Sequence, residues 1–155
     1  MKSDVNITDN RLQITRVFDA PRSEVFGWWT QAEKLQRWSG CKEATNCEVV
    51  MDFRVGGSFR QKMQIHVNGG RCEFSFVGTY EEIVVPERIC YLADFGGAIT
   101  RITVEFHELG DRTKVVLTQE GFKDSSFCEI VAQGTLESLD KLDAILATQA
   151  LVNRL

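Results

Sequence analysis

In the last part of the chain, apolar positions recur three and four residues apart. Across residues 124–151 they fall at Phe127, Val131, Gly134, Ser138 or Leu139, Leu142 and Leu146, which is one face of an α-helix. No proline or glycine pair interrupts the run, so a single helix of about twenty-five residues, roughly 35–40 Å long, is predicted. Ser126 and Glu129 stand at its start and read as a capping box. Between residues 45 and 121 the period changes from that of a helix to two, the mark of half-buried strands. A long helix and an antiparallel sheet each have one apolar face to cover, and each can cover the other. The expected class is α+β, a curved antiparallel sheet of about seven strands wrapped around the C-terminal helix.

The strands can be placed one by one. Residues 11–18 alternate and follow a polar segment expected to fray. Pro21 suits the first position of a short helix carrying Val25, Phe26, Trp28 and Trp29, and Thr30 with Glu33 opens a second one ending near Trp38. Neighbours on a helix point about 100° apart, so Trp28 and Trp29 should not both be central. Residues 47–53 make a strand ended by Gly56-Gly57, and residues 59–67 alternate up to the hairpin dipeptide Asn68-Gly69. Residues 71–83 return, with Gly78 suggesting a bulge or bend. Pro86, Gly96-Gly97 and Gly110-Asp111 mark the remaining turns. Residues 1–155 are expected to form one domain, with no repeat and no linker.

Parity assigns the inner wall. Phe59, Met63, Phe74, Phe76, Tyr80, Tyr91, Phe95, Val104, Phe106 and Leu117 share the face turned to the helix, with the polar Gln61 and Gln119 among them. From the helix side, Val131, Thr135 and Leu139 are one turn apart and face this wall. These residues could fill a solid core or enclose a pocket. A buried glutamine needs partners, since leaving it unpaired costs about 1–3 kcal/mol, and an apolar pocket with a few polar groups is how a small-molecule site looks.

Charge and composition narrow the function. A net charge of −4 without a lysine or arginine cluster argues against nucleic acid. The apolar runs are too short to span a membrane, and the first ten residues lack the apolar stretch of a signal peptide, so the cytoplasm is the expected location. Cys41, Cys47, Cys72, Cys90 and Cys128 are odd in number and lack metal-ligand spacing. They read as small apolar residues, and no metal or cofactor is expected. His66 and His107 fall on the outward parity of their strands, and no nucleophile elbow, P-loop or dinucleotide fingerprint is present.

Several segments together resemble a known family. FDAPRSEVFGWWTQAEKLQRW, DFRVGGSFR, GTYEEIVVPERICY, LTQEGF and QGTLESLDKL follow, in order, the motifs of the START-like helix-grip (SRPBCC) superfamily. Within it they are most similar to homologues of the C-terminal domain of the heat-shock protein 90 ATPase activator. The resemblance implies a deep cavity between sheet and helix and places Trp38 at its mouth. It departs from the family pattern at Gly134-Thr135, where a tryptophan is usual, and at Gln119, where a histidine is usual. Glutamine cannot exchange protons near neutral pH. The expectation is therefore binding of a small hydrophobic or aromatic molecule without catalysis. The alternatives are a co-chaperone-like module and, third, a cyclase or dehydratase. The activators carry a further N-terminal domain that engages the chaperone, which ranks a chaperone contact second. A homodimer is compatible with each reading.

Overall fold

The computed structural model describes residues 3–95 and 97–155. Its elements run β1 (Asp4–Thr8), β2 (Arg11–Phe18), α1 (Arg22–Thr30), α2 (Ala32–Trp38), β3 (Ala44–Met51), β4 (Ser58–Val67), β5 (Gly70–Val84), β6 (Arg88–Phe95), β7 (Ala98–Leu109), β8 (Arg112–Glu120) and α3 (Ser125–Asn153). All strands pair antiparallel in one sheet of order β1-β2-β8-β7-β6-β5-β4-β3. The architecture is the expected α+β helix grip, with eight strands instead of about seven.

The extra strand is β1, where a frayed tail was expected. All five of its residues are exposed, so no alternation betrays it. The turn that folds it back uses Asp9 (φ 50°) and Asn10 (φ 62°), two residue types that tolerate the left-handed region.

Both expected capping boxes are replaced by other devices. At α3 the Asp124 side chain accepts from the Phe127 N–H at 2.8 Å, so the cap lies two residues before Ser126. At α2 the cap position is Gln31, without a side-chain hydrogen bond, and the Thr30 hydroxyl turns back to the Gly27 carbonyl. Pro21 occupies the cap position of α1, one residue before its first turn.

The sheet curls through register shifts in β3, between Thr45 and Glu48, and in β5, between Tyr80 and Glu82. Gly78 is not itself the bulge. A Cβ there would lie 2.2 Å from the Leu92 carbonyl oxygen and 2.5 Å from the Phe59 ring, so glycine is set by close approach. Asn68 (φ 51°) and Gly69 (φ 76°) make the expected hairpin turn. Of the Gly96-Gly97 turn, Gly96 lies outside the described residues.

One end of the grip is packed solid. The Trp29 ring stands 5.2 Å from Phe106 and 4.6 Å from Trp38, and Phe26 lies 5.1 Å from Phe106. Trp28 and Trp29 are both buried, against the expectation that one would sit at an edge. α2 folds back over Trp28, and Lys34 and Arg37 sit 5.2 and 5.0 Å from its ring centroid, a cation–π cover for the otherwise exposed flank. Arg16 of β2, only 4% exposed, reaches Asp140 of α3 at 2.8 Å and Asp143 at 3.5 Å. It ties the helix to the sheet one turn beyond Leu139. Among the described residues, no helix is long and apolar enough to cross a membrane.

Candidate functional site

The other end of the grip is hollow. A cavity of about 410 Å³ lies between the sheet, the loop after α2 and the first half of α3. β4 contributes Phe59, Gln61 and Met63, β5 contributes Phe74, Phe76 and Tyr80, and β6 contributes Tyr91 and Phe95. Leu117 and Gln119 come from β8, Val131 and Thr135 from α3, and Trp38 from the end of α2. Each of these was picked out by parity, helical spacing or family position. Val104, Phe106 and Leu139 were picked out with them but lie in the solid core, 0, 1 and 1% exposed, because α1 and the middle of α3 press onto that part of the sheet.

Trp38 is a wall residue but not the mouth. It is 5% exposed, its ring packs on Trp29, and its Nε1 donates to the Trp28 carbonyl at 3.1 Å. Trp38 lines the cavity, at the end away from its opening. The exposed side of the lining is instead Ile130, 67% exposed, with half-buried Phe127, Ile65, Phe74 and Cys41. The opening therefore lies between the start of α3 and the β4–β5 hairpin.

Sequence reasoning missed several lining residues. Ser39, Gly40 and Cys41 sit on a loop with no periodicity to read. α3 pins that loop in place. The Ser138 hydroxyl donates to the Gly40 carbonyl at 2.7 Å, Lys141 Nζ donates to the Cys41 carbonyl at 3.2 Å, and the Lys42 N–H donates to Glu137 Oε1 at 3.0 Å. This last bond holds the Glu137 carboxyl below the usual carboxylate range. Trp29, Ile89, Ile102 and Gly134 line the cavity too, although none was among the candidate site residues.

The aromatic rings touch one another edge-on or tilted. Phe59 lies 5.2 Å from Tyr80 and 5.1 Å from Tyr91, and Phe76 lies 4.4 Å from Phe95, the offset contacts that ring quadrupoles favour. Polar groups interrupt this surface at a few points. The Ser39 hydroxyl donates to Gln61 Oε1 at 2.5 Å, and Gln119 Nε2 donates to the Thr100 hydroxyl at 3.0 Å. The Thr135 hydroxyl returns to the Val131 carbonyl at 2.8 Å and so is engaged within its own helix. Burial pushes the Tyr80 and Tyr91 phenols above the usual range. Burial likewise raises the thiols of Cys47 and Cys128, which makes them poor nucleophiles.

The histidines lie elsewhere. His66 and His107 are both exposed, and His66 Nε2 is 2.8 Å from the Thr45 hydroxyl. Near the rim, ligating atoms of Cys41, Glu43 and Glu137 fall within 4.8 Å of one another. Both Glu137 oxygens already accept hydrogen bonds, from the Lys42 N–H and from Gln133 Nε2.

Comparison with known proteins places this arrangement. Protein CV1439 from Chromobacterium violaceum matches with a TM-score of 0.80 at 27% identity, over 90% of this chain and 98% of that one. A Rhodobacter sphaeroides protein matches at 0.79 and 19% identity, over 95% and 99%. CalU16 from Micromonospora echinospora matches at 0.66 and 19% identity, over 97% and 87%. The last two likenesses show a shared fold. No curated protein matches the sequence. A family model described as activator of Hsp90 ATPase homolog 1-like protein matches residues 19–147, from the strand–helix junction to just past Leu146, the last buried leucine of α3, and the chain belongs to that family.

Proposed function

We propose that this protein binds a small hydrophobic or aromatic molecule in the cavity beneath α3 and does not transform it. The observation that carries this reading is the cavity itself: about 410 Å³, walled by aromatic rings and a few buried polar groups. That volume falls within the range of small-molecule sites, which are mostly apolar with few, placed polar groups. The balance tips from enzyme to binder on the nature of the polar groups. Glutamines, phenols and hydroxyls can orient a ligand, whereas proton transfer near neutral pH needs a group that titrates there. The histidines are on the outside, and the cytoplasm is the working location in this reading.

Native mass spectrometry of the gently purified protein tests it. The expected spectrum shows a co-purified mass that leaves on mild activation and can be extracted and identified. Protein of bare sequence mass that also fails to take up naphthalene would overturn the reading. The family description favours a second reading, contact with a chaperone of the Hsp90 class. Co-sedimentation with that chaperone, without any small ligand, would support it instead.

A further inference from the structure

The cavity wall carries no charged side chain among the described residues, and it leaves open two polar atoms of fixed character. The Thr100 hydroxyl has a single proton and gives it to the Ala93 carbonyl at 3.1 Å, so it must accept from Gln119 Nε2 at 3.0 Å. This holds Gln119 Oε1, an acceptor, without a partner among the described residues. At Gln61 the order is reversed. Oε1 accepts from the Ser39 hydroxyl at 2.5 Å, which leaves Nε2, a donor, without a partner among the described residues. The two glutamines are 3% and 7% exposed, and Trp28 Nε1 is the one side-chain N or O among the described residues that is both sealed and unpartnered, so both amide atoms open onto the cavity.

Register fixes their relative places. Gln119 pairs with Ile102, Ile102 with Tyr91, and Tyr91 with Tyr80, so these side chains form one row across the sheet. Gln61 stands on the next strand, paired with Phe76. The open acceptor and the open donor thus lie toward opposite sides of the aromatic wall, with two phenols between them. Neither phenol has a partner among the described residues, and burial keeps both protonated.

We infer that Gln61 and Gln119 set the specificity of this cavity for an uncharged, planar aromatic molecule bearing a hydrogen-bond acceptor toward Gln61 and a donor toward Gln119. The inference rests on the small-molecule reading above. A charged ligand would lose its hydration without gaining a counter-charge. A purely apolar ligand would leave both buried amide atoms unpaired.

A matched series of probes tests this by calorimetry at neutral pH: naphthalene, 2-acetylnaphthalene, 6-acetyl-2-naphthol and ionised 6-hydroxy-2-naphthoic acid. Added polar groups ordinarily reduce transfer into an apolar site, so a gain with each group is diagnostic. The acetyl oxygen and then the hydroxyl should each tighten binding by about tenfold, the scale of one well-placed hydrogen bond. The acid should bind at least about a hundredfold more weakly than 6-acetyl-2-naphthol. Gln61→Leu should erase the acetyl gain and Gln119→Leu the hydroxyl gain, and each should tighten naphthalene, which then no longer leaves that amide atom unpaired. If either variant fails to fold, the series on the parent protein decides alone. Equal binding of the acid, or polar gains that are absent in the parent or survive both variants, would overturn the inference and leave the cavity reading standing. Failure of the parent protein to bind even naphthalene would overturn both.

Discussion

The two halves of α3 lie over one sheet and meet different things beneath them. The later half sets Leu139, Leu142 and Leu146 into the core, and Arg16 holds its outer edge through Asp140 and Asp143. The earlier half bridges a void, with Phe127, Val131 and Thr135 half-buried above the aromatic wall. The sheet residues below both halves look alike in sequence: Phe106 and Val104 under the packed end, Phe76 and Phe95 under the open one. What differs is a third layer. α1 and α2 drive Phe26, Trp29 and Trp38 against the packed end, and among the described residues no third layer fills the other, where Trp29 and Trp38 serve only as its inner wall.

If that contrast is right, truncating a ring should cost much more at the packed end. Phe106→Ala should destabilise by about 3–5 kcal/mol, and Phe76→Ala by well under half of that, because it enlarges a space already present. Urea denaturation of the two variants measures the difference, and equal losses would erase the distinction. Removing the tie on the later half comes next. Arg16→Ala should cost about 1.5–3 kcal/mol, from lost charge-assisted hydrogen bonds and lost packing of the side-chain stem. Hydrogen exchange should then speed up in the later half of α3 to match the earlier half.

The periodicity of α3 and the parity of β4 to β8 were legible because a buried face repeats. They settle which way a side chain points and leave open whether anything fills the space it points into. Phe106 and Phe76 show this, since they share parity and differ in surroundings. β1 was illegible because an edge strand with five exposed residues has no buried face to report. The loop residues Ser39 to Cys41 were illegible for a related reason: their place at the cavity comes from contacts of Gly40, Cys41 and the adjoining Lys42 with Ser138, Lys141 and Glu137, about a hundred residues away. Trp38 was expected at the cavity mouth, but its depth depends on how α2 folds onto α1, which no local pattern encodes.

Two smaller effects sharpen the comparison. Thr135 faces the void, so Thr135→Trp should be accommodated, adding about 1 kcal/mol and raising Tm by about 2–4 °C. A lower Tm would show that the space at that depth is already taken. The last effect is absent at neutral pH. Tyr80 and Tyr91 are the only tyrosines, and both phenols are raised by burial. Their unfolded pKa is about 10, so the fold retains protons that the unfolded chain gives up. The stability they confer is full below about pH 10 and is lost as pH rises further. Phenolate absorbance should therefore lag behind that of free tyrosine and appear together with loss of secondary structure. A normal phenol titration in the folded protein would contradict the burial.

The central claim is that the earlier half of α3 covers a space open to a small aromatic molecule. An NMR titration of the backbone amides with naphthalene tests it most directly. The account predicts saturable, one-to-one shifts concentrated at Phe59, Phe76, Tyr91, Val131 and Thr135, with Leu142, Leu146 and Val104 unmoved. Shifts scattered over the outer face of the sheet, or none that saturate, would contradict it.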